Sequence, residues 1–308
     1  MKSLLYTLFI FFISTFTLQS QTGFVDANAS GSNDGTSWAN AYTSLDAALD
    51  AGVTGQIWIA GGTYTPGGMA ADTSSMFFVD SDVDIYGGFD GTETSIDQRT
   101  GNSETILSGD IMGNDDGNMD PTLREDNTRH VVFINSGIGS SVTLDGLSIE
   151  GGQTLDDGDA PFLLRAGAGV YTANAVNVNN CIFRGNFGRS GGGMCIDNSD
   201  TTIVDQVVIT NTTFSNNIAT SQSAGVVMYE VADAMIDNCT FTSNTTNRGT
   251  LYPVDCGNVH ISNCEFTLNE NQSGFGGAMF VWQTMHLTIE NCDFIDNTSF
   301  QAAGMYYD

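Results

Sequence analysis

Apolar and polar residues alternate in short runs along most of this chain, the period-2 signature of strands with one buried face. Val259 and Ile261, then Cys264 and Phe266, are typical, and each pair is bounded by Asn, Gly, Ser or Asp, which tolerate the left-handed backbone of sharp corners. In the second half the pattern becomes a repeat. Asn-(Cys/Thr)-x-Phe-x-x-Asn starts at Asn180, Asn211, Asn238, Asn263 and Asn291, at intervals of 25 to 31 residues. One such unit cannot bury its apolar face alone, so copies must stack. Three short strands and three corners per unit predict an all-β fold, a right-handed parallel β-helix, with the hand following the bias of parallel crossovers. Stacking then predicts three columns. Cys181, Cys239, Cys264 and Cys292 form one, and Phe183, Phe214, Phe241, Phe266 and Phe294 the second. Asn180, Asn211, Asn238, Asn263 and Asn291 form the third, an amide ladder at a corner.

Fainter copies extend the frame backwards. Asp145 to Gly152 fits it with Ile149 in the Phe slot, and Ile57–Gly62, Val83–Phe89 and Thr105–Asp110 precede it. The β-helix is therefore placed at 56–308, in about nine coils and a rod on the order of 43 Å long at the sheet spacing. Insertions break the frame at 110–130 and 153–166. Residues 1–21 read as a signal peptide, with Lys2 before an apolar stretch that is short for a membrane span. Residues 22–55 read as an N-terminal cap, whose short helix starts after Thr43 or Ser44 and ends at Gly52. The chain stops in a strand-like run, Gly304 to Asp308, with no polar capping unit. That reads as a truncated end, with any anchoring or sorting domain beyond it.

Composition narrows the partners. The one Lys lies in the leader, leaving seven Arg against 36 Asp and Glu. Nucleic acid, which demands a basic footprint, is excluded. Six cysteines in an exported chain suggest disulfides, but side chains of one column run parallel, so free buried thiols are the expectation.

The repeated Phe-x-x-Asn occurs beside glycine-rich runs at Gly191–Met194, Ala224–Val226, Gly276–Met279 and Ala303–Met305, with Arg248–Thr250 a worn copy. This pairing resembles the repeats of the polymorphic outer-membrane protein family. The stretches Phe24–Asn28, Gly35–Trp38, Trp58–Tyr64 and Tyr86–Thr94 are similar to those of secreted β-helix proteins of the Bacteroidota type. The resemblance implies a secreted or outer-membrane, cell-surface location and a role in adhesion to a host or neighbouring cell, with the mature part free of membrane spans.

Candidate chemistry is thin. Three functions compete: recognition of a surface or glycan without catalysis, a pectin-lyase-like polysaccharide lyase or glycosidase, and a structural surface rod. A lyase needs a base and a glycosidase two facing carboxyls. Without Lys, the arginines Arg165, Arg184, Arg189 and Arg248 remain, the last three as candidates for one face. His260 and His286 fall on equivalent outward positions, where surface roles are expected. In the first insertion Asp110, Asn114, Asp116, Asn118 and Asp120 place oxygen ligands at alternating positions around a Gly, a candidate calcium loop. Asp156, Asp157 and Asp159 of the second insertion would complete a binding site if the two insertions meet. Tyr229, Tyr252 and Trp282 are candidates for a carbohydrate-stacking stripe if they face out, and core if they face in.

Overall fold

The computed structural model describes residues 21–308, apart from 69–70, 121, 136, 138–140, 155–157 and 200–203. The leader lies outside the described residues, as do Asp156 and Asp157 of the second insertion. The strands form parallel sheets on three sides of one bore. Sheet 1 has nine strands and sheets 2 and 3 have eight each. Each coil runs from sheet 1 through sheet 2 to sheet 3, as in Ala175–Asn179, Ile182–Arg184 and Met194–Asp197. The fold is a right-handed parallel β-helix. Sheet 1 has its ninth strand because Gln21–Val25, in the segment read as cap, pairs in parallel with Gly55–Ala60. After it comes the helix Leu45–Asp50, capped by the Ser44 hydroxyl accepting from Ala47 N at 3.2 Å. Leu45 and Ala48 are fully buried against the bore core, so the helix closes the rod's first end.

Register explains the Phe column. Phe183, Phe214, Phe241, Phe266 and Phe294 are successive Cα partners in sheet 2. Their rings stack with centroids 4.7 to 5.0 Å apart. Ile149 and Leu107 continue the column towards the first coils. The four column cysteines are free, and the Cys239 thiol donates to Asp237 O and Ile209 O, as a small buried hydrophobe with a weak donor can.

The asparagine ladder belongs to a different column from the expected one. Asn180, Asn211, Asn238, Asn263 and Asn291 all adopt φ near +50°, which turns the chain from sheet 1 into sheet 2 and leaves their side chains outside. Their amide contacts are broken: Asn238 donates to Asn211, but Asn263 donates to Asp237 and Asn211 to Asn179. The continuous ladder is the last Asn of each motif, at Asn186, Asn217, Asn244, Asn269 and Asn297. The Asn217 amide nitrogen donates to Phe183 O at 2.9 Å and to Asn244 Oδ1 at 3.1 Å, and Asn244 Oδ1 also takes the Asn217 backbone N–H. Asn186, Asn217, Asn244 and Asn269 are fully buried. Three residues beyond an inward Phe, the side chain points into the corner, where no water reaches and every backbone group needs a partner.

Past that ladder the regular coils add a four-stranded corner sheet: Phe187–Gly188, Ile218–Ala219, Thr245–Arg248 and Glu270–Phe275. The glycine run then turns the chain into sheet 3. Gly191 has φ +61°, and a Cβ there would lie 2.5 Å from Met194 O and 3.0 Å from Cys195 Cβ. The chain thus folds back over the outer side of the strand that follows. Gly249, in the worn copy, keeps the same left-handed turn at φ +54°.

Among the described residues the earlier coils add no strand to the corner sheet, and the last of them meets it only at a parallel bridge from Gln153 to Phe187. Where it would stand, the described residues of 65–76 after Gly62–Tyr64, of 109–131 after Thr105–Ser108 and of 151–169 after Leu147–Glu150 leave as loops, the last with a short helical turn at Phe162–Arg165. Three successive coils send their loops from one corner, so the loops lie side by side.

Candidate functional site

The two insertions read from the sequence do meet. Arg124, 3% exposed, reaches from the first to the root of the second. Its Nε donates to Gln153 Oε1 at 3.0 Å, and one terminal nitrogen donates to Gly152 O and Gly185 O. Its other terminal nitrogen pairs with Asp115 at 2.7 Å. Asn127 donates to Asp115 and to Gly151 O, which ties the loop down a second time. Burial pulls the Arg124 guanidinium below its ordinary range, with Asp115 opposing, and burial raises the Asp115 carboxyl.

Under this loop a cleft of about 270 Å³ opens on the outer face of sheet 2, lined by Asp110, Asp115, Arg124, Glu150 and Arg184 among others. Arg184 and Glu150 are Cα partners in neighbouring coils, so both point outward at one height. Arg184 Nε donates to Glu150 at 2.5 Å and a terminal nitrogen to Glu104 at 2.8 Å. Partial burial alone would lower the Arg184 pKa, but its bonds to Glu150 and Glu104 raise it. Glu104 is held below the usual carboxylate range by the Ser148 hydroxyl, 2.6 Å away, and then by Arg184. Beyond this bridge a shallower groove of about 640 Å³ runs past Ser148 and Glu104 to a further ion pair, Arg99–Asp145 at 2.7 Å.

The candidate calcium residues separate into three turns. Asp110, largely buried, accepts the backbone N–H groups of Asn114 and Asp115. Asp116 accepts from the backbone and side-chain nitrogens of exposed Asn118, bonds that hold its carboxyl below the usual range. Asp120 accepts from Thr122 N and Oγ1. Among the described residues no group of three or more His, Cys, Asp or Glu side chains is placed to hold a metal ion. An alternating sequence of oxygens predicts a cage only if the loop curls around one centre, and here each of the carboxylates Asp110, Asp116 and Asp120 closes its own turn.

The aromatic candidates have an outcome between the two expected. Tyr229, Tyr252 and Trp282 all lie on the outer side of sheet 3, yet in a second apolar cluster outside the bore, with Tyr171, Cys195, Val227 and Phe280. Tyr252 is 3% exposed, so it has no face for a sugar. Tyr229 is mostly covered, and its hydroxyl donates to Gln222 Oε1. Alternation says which side a residue takes, but not that the glycine corners fold over that side. Two positional expectations also change. His286 pairs with Asn258, two residues short of His260, so these imidazoles are not equivalent. Arg184 lies on sheet 2, whereas Arg248 ends a corner-sheet strand and Arg189 follows another, so the three do not share one face.

Glu104 and Glu150 were missed from the sequence. The signal for Glu150 was present: aligning Leu147–Glu150 with Ile182–Arg184 in the repeat frame puts it opposite Arg184. Glu104 lies before its strand, where the frame carries no register.

A family model described as a right handed beta helix region matches residues 166–308. The match begins where the loops end and the regular coils start. Neither a curated protein nor a solved structure matches the chain. Among the described residues, no helix is long and apolar enough to cross a membrane.

Proposed function

We propose that this protein is a secreted or outer-membrane recognition rod that binds a hydroxyl-rich glycan of a host or neighbouring cell in the cleft beneath the 110–130 loop, without transforming it. The observation that carries this reading is the state of the charged groups there. Arg184 is held between Glu104 and Glu150, and Arg124 is held by Asp115. Such pairs offer fixed acceptors and donors to sugar hydroxyls. They also oppose catalysis, because an arginine whose pKa is raised stays protonated and is not available as a base, and a carboxyl held low stays ionised and has no proton to give. The resemblance to surface β-helix repeats supports the location.

A glycan array probed with the purified protein tests this, followed by calorimetry with an Arg184→Ala variant. Specific binding lost in the variant, with no new reducing ends or unsaturated sugars from the bound glycan, is the expected result. Chain cleavage that disappears in Asp115→Asn would instead establish a hydrolase, the reading favoured by the raised Asp115 carboxyl.

A further inference from the structure

The cleft on sheet 2 and the groove beside it carry more negative charge than their arginines offset. Asp110, Asp115 and Glu150 line the cleft, and Asp97, Glu104 and Asp145 line the groove. Against these stand three arginines, each already in an ion pair: Arg124 with Asp115, Arg99 with Asp145, and Arg184 with both Glu104 and Glu150. Six carboxylates against three arginines leave a formal charge of −3 in the two depressions, on a chain whose own charge is −28. Concave walls of one sign focus their field on whatever enters. Sulfated and uronic-acid glycans are therefore repelled here, and a neutral glycan gains nothing from the field.

The bridge between the depressions is also incompletely bonded, on its wet side. Glu104 takes both the Ser148 hydroxyl and an Arg184 terminal nitrogen on Oε1, and Glu150 takes Arg184 Nε on Oε2. Among the described residues, Glu104 Oε2, Glu150 Oε1 and the second terminal nitrogen of Arg184 make no hydrogen bond. None of the three side chains is sealed: Glu104 is 47% exposed, Arg184 35% and Glu150 30%. One free cationic donor is thus joined to two free anionic acceptors. Glu104 stays ionised, because the Ser148 hydroxyl and then Arg184 hold its carboxyl below the usual range. The groove, at about 640 Å³, has the volume of a ligand site.

We infer that the glycan taken up here carries free amino groups, as a chain of 2-amino sugars does. Each such ring presents an ammonium and a hydroxyl on neighbouring carbons. The ammonium donates to the free oxygen of Glu104 or Glu150, and the hydroxyl oxygen accepts from Arg184. Acetylation of the amine removes the charge and adds bulk, and a neutral hexose offers hydroxyls alone. A lysine-rich peptide matches the charge but lacks the adjacent hydroxyl. The inference rests on the glycan reading above and narrows it, so that reading survives if another glycan proves to be the ligand.

The test is calorimetric titration of the purified protein, in mildly acidic low-salt buffer, with length-matched oligomers of glucosamine, N-acetylglucosamine and glucose, and with oligolysine. The glucosamine oligomer should bind about tenfold more tightly than either sugar control, for the one charge-assisted bond they lack. Added salt should shrink that gap. Glu104→Gln and Glu150→Gln, each close in shape to the carboxylate it replaces, should narrow it as well. Equal binding of the acetylated or the neutral oligomer would overturn the inference and leave the glycan reading standing. Oligolysine binding as tightly as the glucosamine oligomer would overturn it by showing that charge alone is read. Absence of binding by every oligomer would also overturn it, and the glycan array separately shows whether any glycan binds.

Discussion

The regular coils from residue 166 onward and the looped coils before them share one bore but treat the corner between sheets 2 and 3 differently. In the regular coils that corner is closed by the Asn ladder, a short fourth sheet and a glycine turn, and the outer aromatic row is buried beneath it. In the looped coils the corner is handed to insertions, and there the charged cleft opens. A repeat satisfies each group with its copy one coil away. An insertion has no copy, so Arg124, His130 and Asp115 need partners of their own, and the partly satisfied ones mark candidate sites. Function on a solenoid is therefore expected where the repeat fails.

Breaking the ladder should have the largest effect. Asn244→Ala removes the acceptor for Asn217 N and the donor to Phe214 O, leaving at least two buried groups unpaired. A loss of about 3–5 kcal/mol is expected in denaturant unfolding. Asn238→Gly, in the exposed left-handed column, should cost less than about 1 kcal/mol. Equal losses would mean that the buried column is not the one that holds the coils together. Next, Gly191→Ala combines a positive φ with a close approach to Met194 O and should lose about 2–4 kcal/mol by the same measurement. A neutral result would show that the corner can lift off the outer row.

His130 probes the looped half. Its folded pKa of about 4 lies below its ordinary 6.5, so the unfolded chain binds more protons between those values. Stability should therefore rise with pH across that window, by about 3 kcal/mol for this one group. The slope should flatten in His130→Gln, and an unchanged slope would show that the imidazole is not buried in its neutral form. The smallest effect belongs to the exposed turn of the first insertion. Asp116→Ala should change stability by less than about 0.5 kcal/mol, with or without calcium. A larger calcium-dependent shift in melting temperature would revive the cation reading.

Much of this architecture was legible in the chain. The Phe spacing predicted the stacked column with its register, and the cysteines' place in the motif predicted free thiols. The two Asn of each motif look alike in the sequence, and only the left-handed φ of the first separates an outward side chain from the buried ladder three residues past Phe. Tyr252 could be placed inside or outside by alternation, but its cover comes from another part of the coil. The spacing of Asp110, Asp116 and Asp120 suggested one cation centre, because spacing does not show which turn each carboxylate closes.

By itself the sequence determined the coil: its period, its inward Phe column and the two stretches where insertions interrupt it. These follow from local alternation and from like residues stacking on like, and a repeated motif carries both. Only the tertiary structure decided which insertions touch, that Arg184 joins two glutamates from different coils, and that the aromatic row is roofed in one half and open in the other. Those outcomes depend on contacts between segments with no shared period, and a sequence pattern holds no distance between such segments.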